Sequence, residues 1–397
     1  MSLAATTANG HPPVQRPFLI AAVLVAGGLF VYLLGISGKH AGLFVVGLAM
    51  GVSLYHASFG FTSAYRRAFV DRDISGISAQ GLMLAAAMIL FAPVLAQGQI
   101  FGHGVTGAVA PVGWSMAIGA LMFGLGMQLA GGCGSGTLFT SGGGDLRMVL
   151  VLVFFCFGGF WGSLDLAWWQ ELPSIGRVSF GWELGWTKAV ILQLNALGVI
   201  YLALRVAGFT NKRGLWFDQG FSLSQLTHGP WPLLLSAGLL ALLNWATLLI
   251  AGHPWSITWA FALWAAKFAT AIGWDPATSQ FWSGGFPAMA LTRPILADVT
   301  SVMNIGIVFG AMTAASLGGK FAPSLRIPTR SVLAAVIGGL LLGYGARLAY
   351  GCNIGAFFSG IASTSLHGWV WIVCAIAGNM VGVLLRPLFG LSGWRST

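Results

Sequence analysis

Eleven apolar runs, almost free of charge, decide most of what this chain can fold into. They cover 18–36, 41–59, 80–95, 112–130, 148–163, 189–204, 232–251, 255–266, 301–318, 331–346 and 369–385. A helix crosses the hydrocarbon core of a bilayer with about 20 such residues, and most of these runs reach that length with a polar flank included. A soluble chain of 397 residues could not cover its core with 7% charged residues, since ordinary soluble domains carry about 25%. The expected fold class is therefore an all-α polytopic membrane protein with about ten or eleven membrane segments, and the lipid bilayer is its first partner.

The net charge of +10 does not point to nucleic acid. The basic residues sit in short clusters between spans, the pattern of cytoplasmic loops in a multi-pass inner-membrane protein. Arg66, Arg67, Arg72, the 205–213 cluster, Lys320, Arg326, Arg330 and the terminal Arg16 and Arg395 all favour the cytoplasm, so both termini are expected there. Eleven complete crossings cannot satisfy that set. At least one segment is expected to be re-entrant or to lie on the membrane surface, with 281–291 and two glycine-cysteine loops as the candidates. Four cysteines with no CxxC or CxxxH spacing predict neither a disulfide framework nor a metal site. No GxxxxGK[ST] run is present, which argues against ATP hydrolysis, and no cofactor is expected.

The two loops form a repeat. Residues 126–139, Gly-Met-Gln-Leu-Ala-Gly-Gly-Cys-Gly-Ser-Gly-Thr-Leu-Phe, align with 345–358, Gly-Ala-Arg-Leu-Ala-Tyr-Gly-Cys-Asn-Ile-Gly-Ala-Phe-Phe, and seven of 14 positions are identical. This divides the chain into a first half, 1–206, with the Cys133 loop, a linker, 207–231, and a second half, 232–397, with the Cys352 loop. The connection before the first loop, 96–111, has no Lys or Arg, whereas its counterpart 319–330 has three. One loop earlier the bias reverses, from Arg66, Arg67 and Arg72 in the first half to Arg293 alone in the second. Equivalent elements thus point in opposite directions, the inverted plan of many secondary transporters.

Glycine density makes the loops chemically distinctive. Gly131, Gly132, Gly134 and Gly136 surround Cys133, and each costs a continuous helix nearly 1 kcal/mol relative to alanine. Broken backbone at membrane depth survives only in protein or along a cavity, and free N–H groups opening a half-helix attract anions. The candidate substrate-binding residues are Cys133, Gly132, Gly134, Ser135 and Gly136 in one loop, and Arg347, Gly351, Cys352, Asn353 and Gly355 in the other. A polarizable thiol with a weak S–H donor can contact another sulfur where a serine would serve poorly. Cys156 and Cys374, within Phe- and Ile-rich runs, are read as packing residues, and His56 and His367 as capping or interfacial residues ahead of the alternative that they line the path. Asp298 is a conceivable counter-charge for Arg347.

These residues resemble the YeeE/YedE family of bacterial inner-membrane proteins, and the YedE branch most closely. The resemblance rests on Leu-Ala-Gly-Gly-Cys133, on Gly345-Ala-Arg-Leu-Ala-Tyr-Gly-Cys352-Asn353 with the following Ala356-Phe-Phe-Ser-Gly-Ile and Ser365-Leu-His367, and on Gly60-Phe-Thr62-Ser-Ala-Tyr-Arg66. It implies an hourglass-like, pseudo-symmetric transporter of thiosulfate or a related small sulfur-containing anion, whose thiols hand the ion inward. It adds Gly60 and Thr62 to the candidate site. The family commonly carries cysteine at the place of Gly60, so two relay thiols are implied here, and the expected substrates extend to other sulfur or selenium compounds. Two rivals remain: a membrane enzyme using a cysteine persulfide, and a non-transporting subunit whose Lys320, Arg326 and Arg330 dock a soluble cytoplasmic sulfur-carrier protein.

Overall fold

In lipid, every backbone N–H and C=O must be satisfied within the protein, so the apolar runs become helices. The structure is a computed structural model describing residues 12–217, 223–324 and 327–393; Arg326 and Arg395 lie outside them. The first half contributes α1 (Arg16–Ile36), α2 (Gly38–Ala57), α3 (Phe61–Asp71), α4 (Ser75–Gln97), α5 (Trp114–Ala130), α6 (Gly134–Gly142) and α7 (Leu146–Leu164). There follow α8 (Trp186–Val206), α9 (Leu233–Ala251), α10 (Thr258–Ala271), α11 (Val299–Leu317), α12 (Thr329–Leu348) and α13 (Leu366–Leu385). Polar side chains set the starts. Asp145 accepts from the Met148 N–H at the head of α7, and Asp298 from the Ser301 N–H at the head of α11.

Among the described residues, ten helical segments are long and apolar enough to cross a membrane. The apolar run 255–266 is the exception among the eleven. It forms α10, only 14 residues long, with Phe261 and Leu263 fully buried, so protein rather than lipid covers it. The segment 281–291 forms a short helix, Gly285–Thr292, held by Lys267 through the carbonyls of Leu291 and Arg293. The lipid-facing surface is clearest on α1 and α8, where Leu24, Val31, Val199 and Leu202 are exposed.

The halves pack as two-fold-related partners in contact. α7 lies on α12 as α13 lies on α5; α2 lies on α11 as α9 lies on α4; α10 meets α7 as α3 meets α13; and α5–α12 and α2–α9 pair across the axis. Glycine permits this closeness. A Cβ on Gly124 would fall 2.0 Å from the Ala375 carbonyl oxygen, and one on Gly378 would fall 2.0 Å from that of Leu121. Without water to drive apolar association, such close van der Waals packing holds membrane helices together. The contacts also repeat residue for residue. Gly162 abuts the Arg347 Cβ as Gly382 abuts the Gln128 Cβ, and Gly158 meets Leu340 as Gly378 meets Leu121.

The register slips once. Twelve positions take the chain from Cys133 to Asp145, but thirteen take it from Cys352 to Ser365, the residues that precede α7 and α13. A π-helical turn at Asn353–Phe358, followed by the short helix Ser359–Ala362, takes up the added residue. Single π turns of this kind recur at functional sites.

Small β pairings close the ends. Gln99–Ile100 pairs antiparallel with His103–Gly104, and Pro111–Gly113 with Ser174–Arg177, Pro111 opposite Arg177. The segment after α8 is tied to the head of α4. The Asp73 carboxylate accepts from the Ser75 hydroxyl and N–H and the Lys212 N–H, and pairs with Arg213 at 3.2 Å.

Two expectations follow. A Cβ at Gly343 would sit 2.2 Å from the Phe155 carbonyl oxygen, so Gly343→Ile should abolish the monodisperse peak in fluorescence-detected size exclusion, whereas Gly27→Ile, with open space around it, should keep it. Burial disfavours ionisation of Asp73, but its hydrogen bonds and Arg213 outweigh burial and hold its carboxyl below the usual value. The stabilisation is therefore complete above the ordinary carboxylate pKa of about 4 and drains as pH falls further, toward the depressed native value. The difference in melting temperature between wild type and Asp73→Asn should be constant from pH 7 to about 5 and shrink below about 4.

Candidate functional site

A helix of 17 residues, α5, spans roughly 25 Å, and its two ends open onto different cavities. At its C-terminal end lies a cavity of about 360 Å³ lined by Gly131, Gly132, Cys133 and Gly136 together with His56, Gly60, Thr62, His228 and Lys320. At its N-terminal end, Pro111 and Ala110 join Gln170, Arg177, Tyr350, Gly355 and His367 around a second cavity of about 300 Å³. Because α12 runs from the Lys320 side to Tyr350, it is antiparallel to α5. The Cys133 loop thus faces one end and the Cys352 loop the other, which makes the repeat an inverted one.

Between the cavities the two loops touch. A Cβ on Gly134 would lie 2.9 Å from the Cys352 Sγ and 3.5 Å from Ile257 Cγ2, and one on Gly136 would lie 3.6 Å from the Cys133 Sγ. Cys133 and Cys352 share nearly one backbone conformation, with φ, ψ of −102°, −165° and −104°, −167°. Both thiols are buried, at 1% and 0% exposure, so the waist is shut to water. Cys133 Sγ neighbours the Ser135 hydroxyl at 3.5 Å, and Cys352 Sγ accepts from the Ile354 N–H at 3.4 Å. Among the described residues, neither thiol is hydrogen-bonded to a histidine.

The break at Cys133 leaves carbonyls open at the end of α5, and arginines fill them. Arg147 donates to the Leu129 and Ala130 carbonyls, and Arg386 to that of Gln128, the cation placement that a helix C-terminus favours. The Gln128 amide donates to the Asn379 side chain at 2.7 Å.

The predicted residues divide by place. Cys133, Gly132, Gly136, Gly60 and Thr62 line the cavity on the Lys320 side, and Gly355 lines the opposite one. Gly134 and Cys352 form the waist. Ser135 and Asn353 are fully buried behind it, Asn353 donating to the Tyr65 hydroxyl at 3.4 Å. Gly351, at φ 147°, turns the chain where a Cβ would meet the Ala356 nitrogen at 2.8 Å. Arg347 stands apart, in a niche of about 160 Å³ with Ser256, Thr258, Trp259 and Tyr350. Asp298 does not neutralise it, since that carboxylate caps α11 and accepts from Trp259.

Several contributors escaped the sequence reading. His56 is neither exposed nor a cap. It is buried against Trp231, with ring centroids 5.2 Å apart, and its Nε2 has no partner among the described residues. His367 is buried too, its Nδ1 2.9 Å from the Ser365 hydroxyl. Tyr65 reaches the loops from α3, beyond the α2–α3 break, and Ser256 and Ile257 from the α9–α10 break. Only the repeat itself, extended to those breaks, could have flagged them.

Comparison with known proteins gives the chain's relatives. A family model described as sulphur transport matches residues 56–381. The thiosulfate transporter TsuA of Spirochaeta thermophila is 27% identical over 360 residues, covering 86% of this chain and 98% of that protein. The probable transporters YedE of Escherichia coli and Salmonella typhimurium are 33% and 32% identical over 164 residues, covering 40% of this chain and 39% of each of theirs.

Proposed function

The chain belongs to the sulphur-transport (YeeE/YedE) family, and from that membership we propose that it takes up thiosulfate or a related small sulfur-containing anion through the waist between Cys133 and Cys352. One observation carries the reading: two pseudo-equivalent thiol loops meet between cavities at opposite ends of one membrane-crossing helix. A full-length relative bears the name of a thiosulfate transporter.

The waist suits such an ion. Dry S–H groups offer weak, polarizable contacts, so a terminal sulfur loses little by leaving one thiol for the next. A sulfate oxygen would want stronger donors than the waist gives. The glycines Gly132, Gly134, Gly136, Gly351 and Gly355 let backbone approach the ion, and Ser135, Asn353 and Thr62 stand close enough to steady it. Gly60 leaves room in the Lys320-side cavity, where Lys320 holds positive charge. On this reading the protein is a carrier or gated path rather than an enzyme, and no protein cofactor enters the cycle. The basic Lys320 side is cytoplasmic, both termini lie on that side, and the membrane is the bacterial inner membrane. The halves 1–206 and 232–397, joined by 207–231, belong to the same proposal, as does delivery to a soluble cytoplasmic sulfur carrier.

Growth on thiosulfate as sole sulfur source, in a host lacking sulfate and thiosulfate uptake, tests the reading. Wild type should rescue, and Cys133→Ala, Cys352→Ala and Gly134→Val should each cut growth at least tenfold at matched membrane expression. Gly134→Val acts by placing carbon against the Cys352 sulfur. Equal rescue by all four would remove the thiols from the path; no rescue by wild type, on thiosulfate or on other sulfur or selenium sources, would sink uptake itself.

A further inference from the structure

Arg347 presents a charge problem that the scaffold leaves open. It lies half-buried within the last turn of α12, and the Arg213–Asp73 ion pair is the only one among the described residues. The Arg347 Nε is buried with no hydrogen-bond partner among the described residues, and the guanidinium sits 4.5 Å from the Phe281 ring centroid. A ring face offsets part of a cation's desolvation but offers no acceptor to five N–H donors. An arginine at membrane depth without a carboxylate is a functional residue by default.

The pseudo-symmetry supplies a control. The equivalent position in the first half is Gln128, which abuts Gly382 as Arg347 abuts Gly162. Gln128 is neutral, fully buried, and its amide donates to Asn379 and to the Thr62 carbonyl. One half therefore has a structural amide at this place and the other an unpaired cation facing a niche. A second asymmetry lies three residues on. Tyr350 holds φ 59°, a left-handed conformation uncommon for a bulky residue, where the first half has Gly131 at φ 83°. Tyr350 lines both the Arg347 niche and the cavity containing Gly355. Ser256 lines the niche as well, and its Oγ lies 3.6 Å from where a Gly355 Cβ would stand. The niche thus adjoins the Cys352 loop.

We propose that Arg347, with the hydroxyls of Ser256, Thr258 and Tyr350, is an anion-capture subsite that receives the oxygens of the incoming ion before its sulfur reaches Cys352. The inference rests on the uptake reading for the direction of travel, not for the site itself. The planar fork of the guanidinium matches two oxygens of a sulfonate-like group, and the hydroxyls complete the shell. Because only the Cys352 half carries this cation, capture is confined to the end remote from Lys320. Charge and oxygen count are read at Arg347; sulfur is read at the waist.

The test is binding of [35S]thiosulfate to the full-length protein in nanodiscs, followed by scintillation proximity, with unlabelled sulfate as competitor. Wild type should bind saturably and sulfate should compete. Arg347→Gln should weaken binding about tenfold or more, the scale of one lost charged hydrogen-bond partner. Arg347→Lys, which keeps charge but loses the fork, should fall between. Ser256→Ala should weaken binding several-fold, on the scale of a neutral hydrogen bond, and it decides the matter if Arg347→Gln is not monodisperse. Arg347→Gln or Ser256→Ala binding like wild type, or no binding by a monodisperse wild type, overturns the subsite. Binding that depends on Arg347 in a protein that fails to rescue growth would sink uptake and leave the subsite standing.

Discussion

Everything in this protein follows from the cost of an unpaired backbone group in hydrocarbon. Helices answer it along ten segments, but the chain breaks several of them, among them the two just before Cys133 and just before Cys352. A break survives only where other groups take over the lost hydrogen bonds. Arg147 and Arg386 do so at the end of α5, through the carbonyls of Gln128, Leu129 and Ala130. At the second break the Ser115 hydroxyl reaches the Leu348 carbonyl, and the Gly351 N–H that of Ala346. Each broken segment thus takes one of these partners from the other half, Arg386 for α5 and Ser115 for α12.

Glycine makes the enclosure tight. Because Gly124, Gly158, Gly343 and Gly378 carry no Cβ, backbones approach to contact, and dispersion replaces the hydrophobic effect that lipid cannot supply. The consequence for function is a waist without slack. With the thiols sealed at 1% and 0% exposure, anything passing must displace packed atoms. Interfaces of this kind switch between discrete packings rather than deform smoothly.

Symmetry builds the frame, and departures from it carry the chemistry. Arg347 stands against Gln128, Tyr350 against Gly131, and a π turn against the regular α6. None of these substitutions is needed to pack the helices, since the first half does without them. Each lies on the Cys352 side, so the two ends of an otherwise two-fold path offer an ion different surroundings.

Much of this was legible in the sequence. Charge scarcity and apolar length gave the membrane spans, the loop charges gave the inversion, and the duplicated Gly-Cys runs gave the waist, because each is a local property of a segment in contact with lipid, water or its own backbone. The short α10 was misjudged as a crossing candidate because apolar composition cannot tell a helix covered by lipid from one covered by Phe155 and α7. Tyr65, Ser256 and Ile257 gave no local signal, because contacts across the two halves join residues some hundred to three hundred positions apart, and Arg347 was matched with Asp298, which caps α11 instead. Local chemistry therefore determined what kind of surfaces the chain would make, and only the tertiary fold, through the close approach its glycines allow, decided which of them meet.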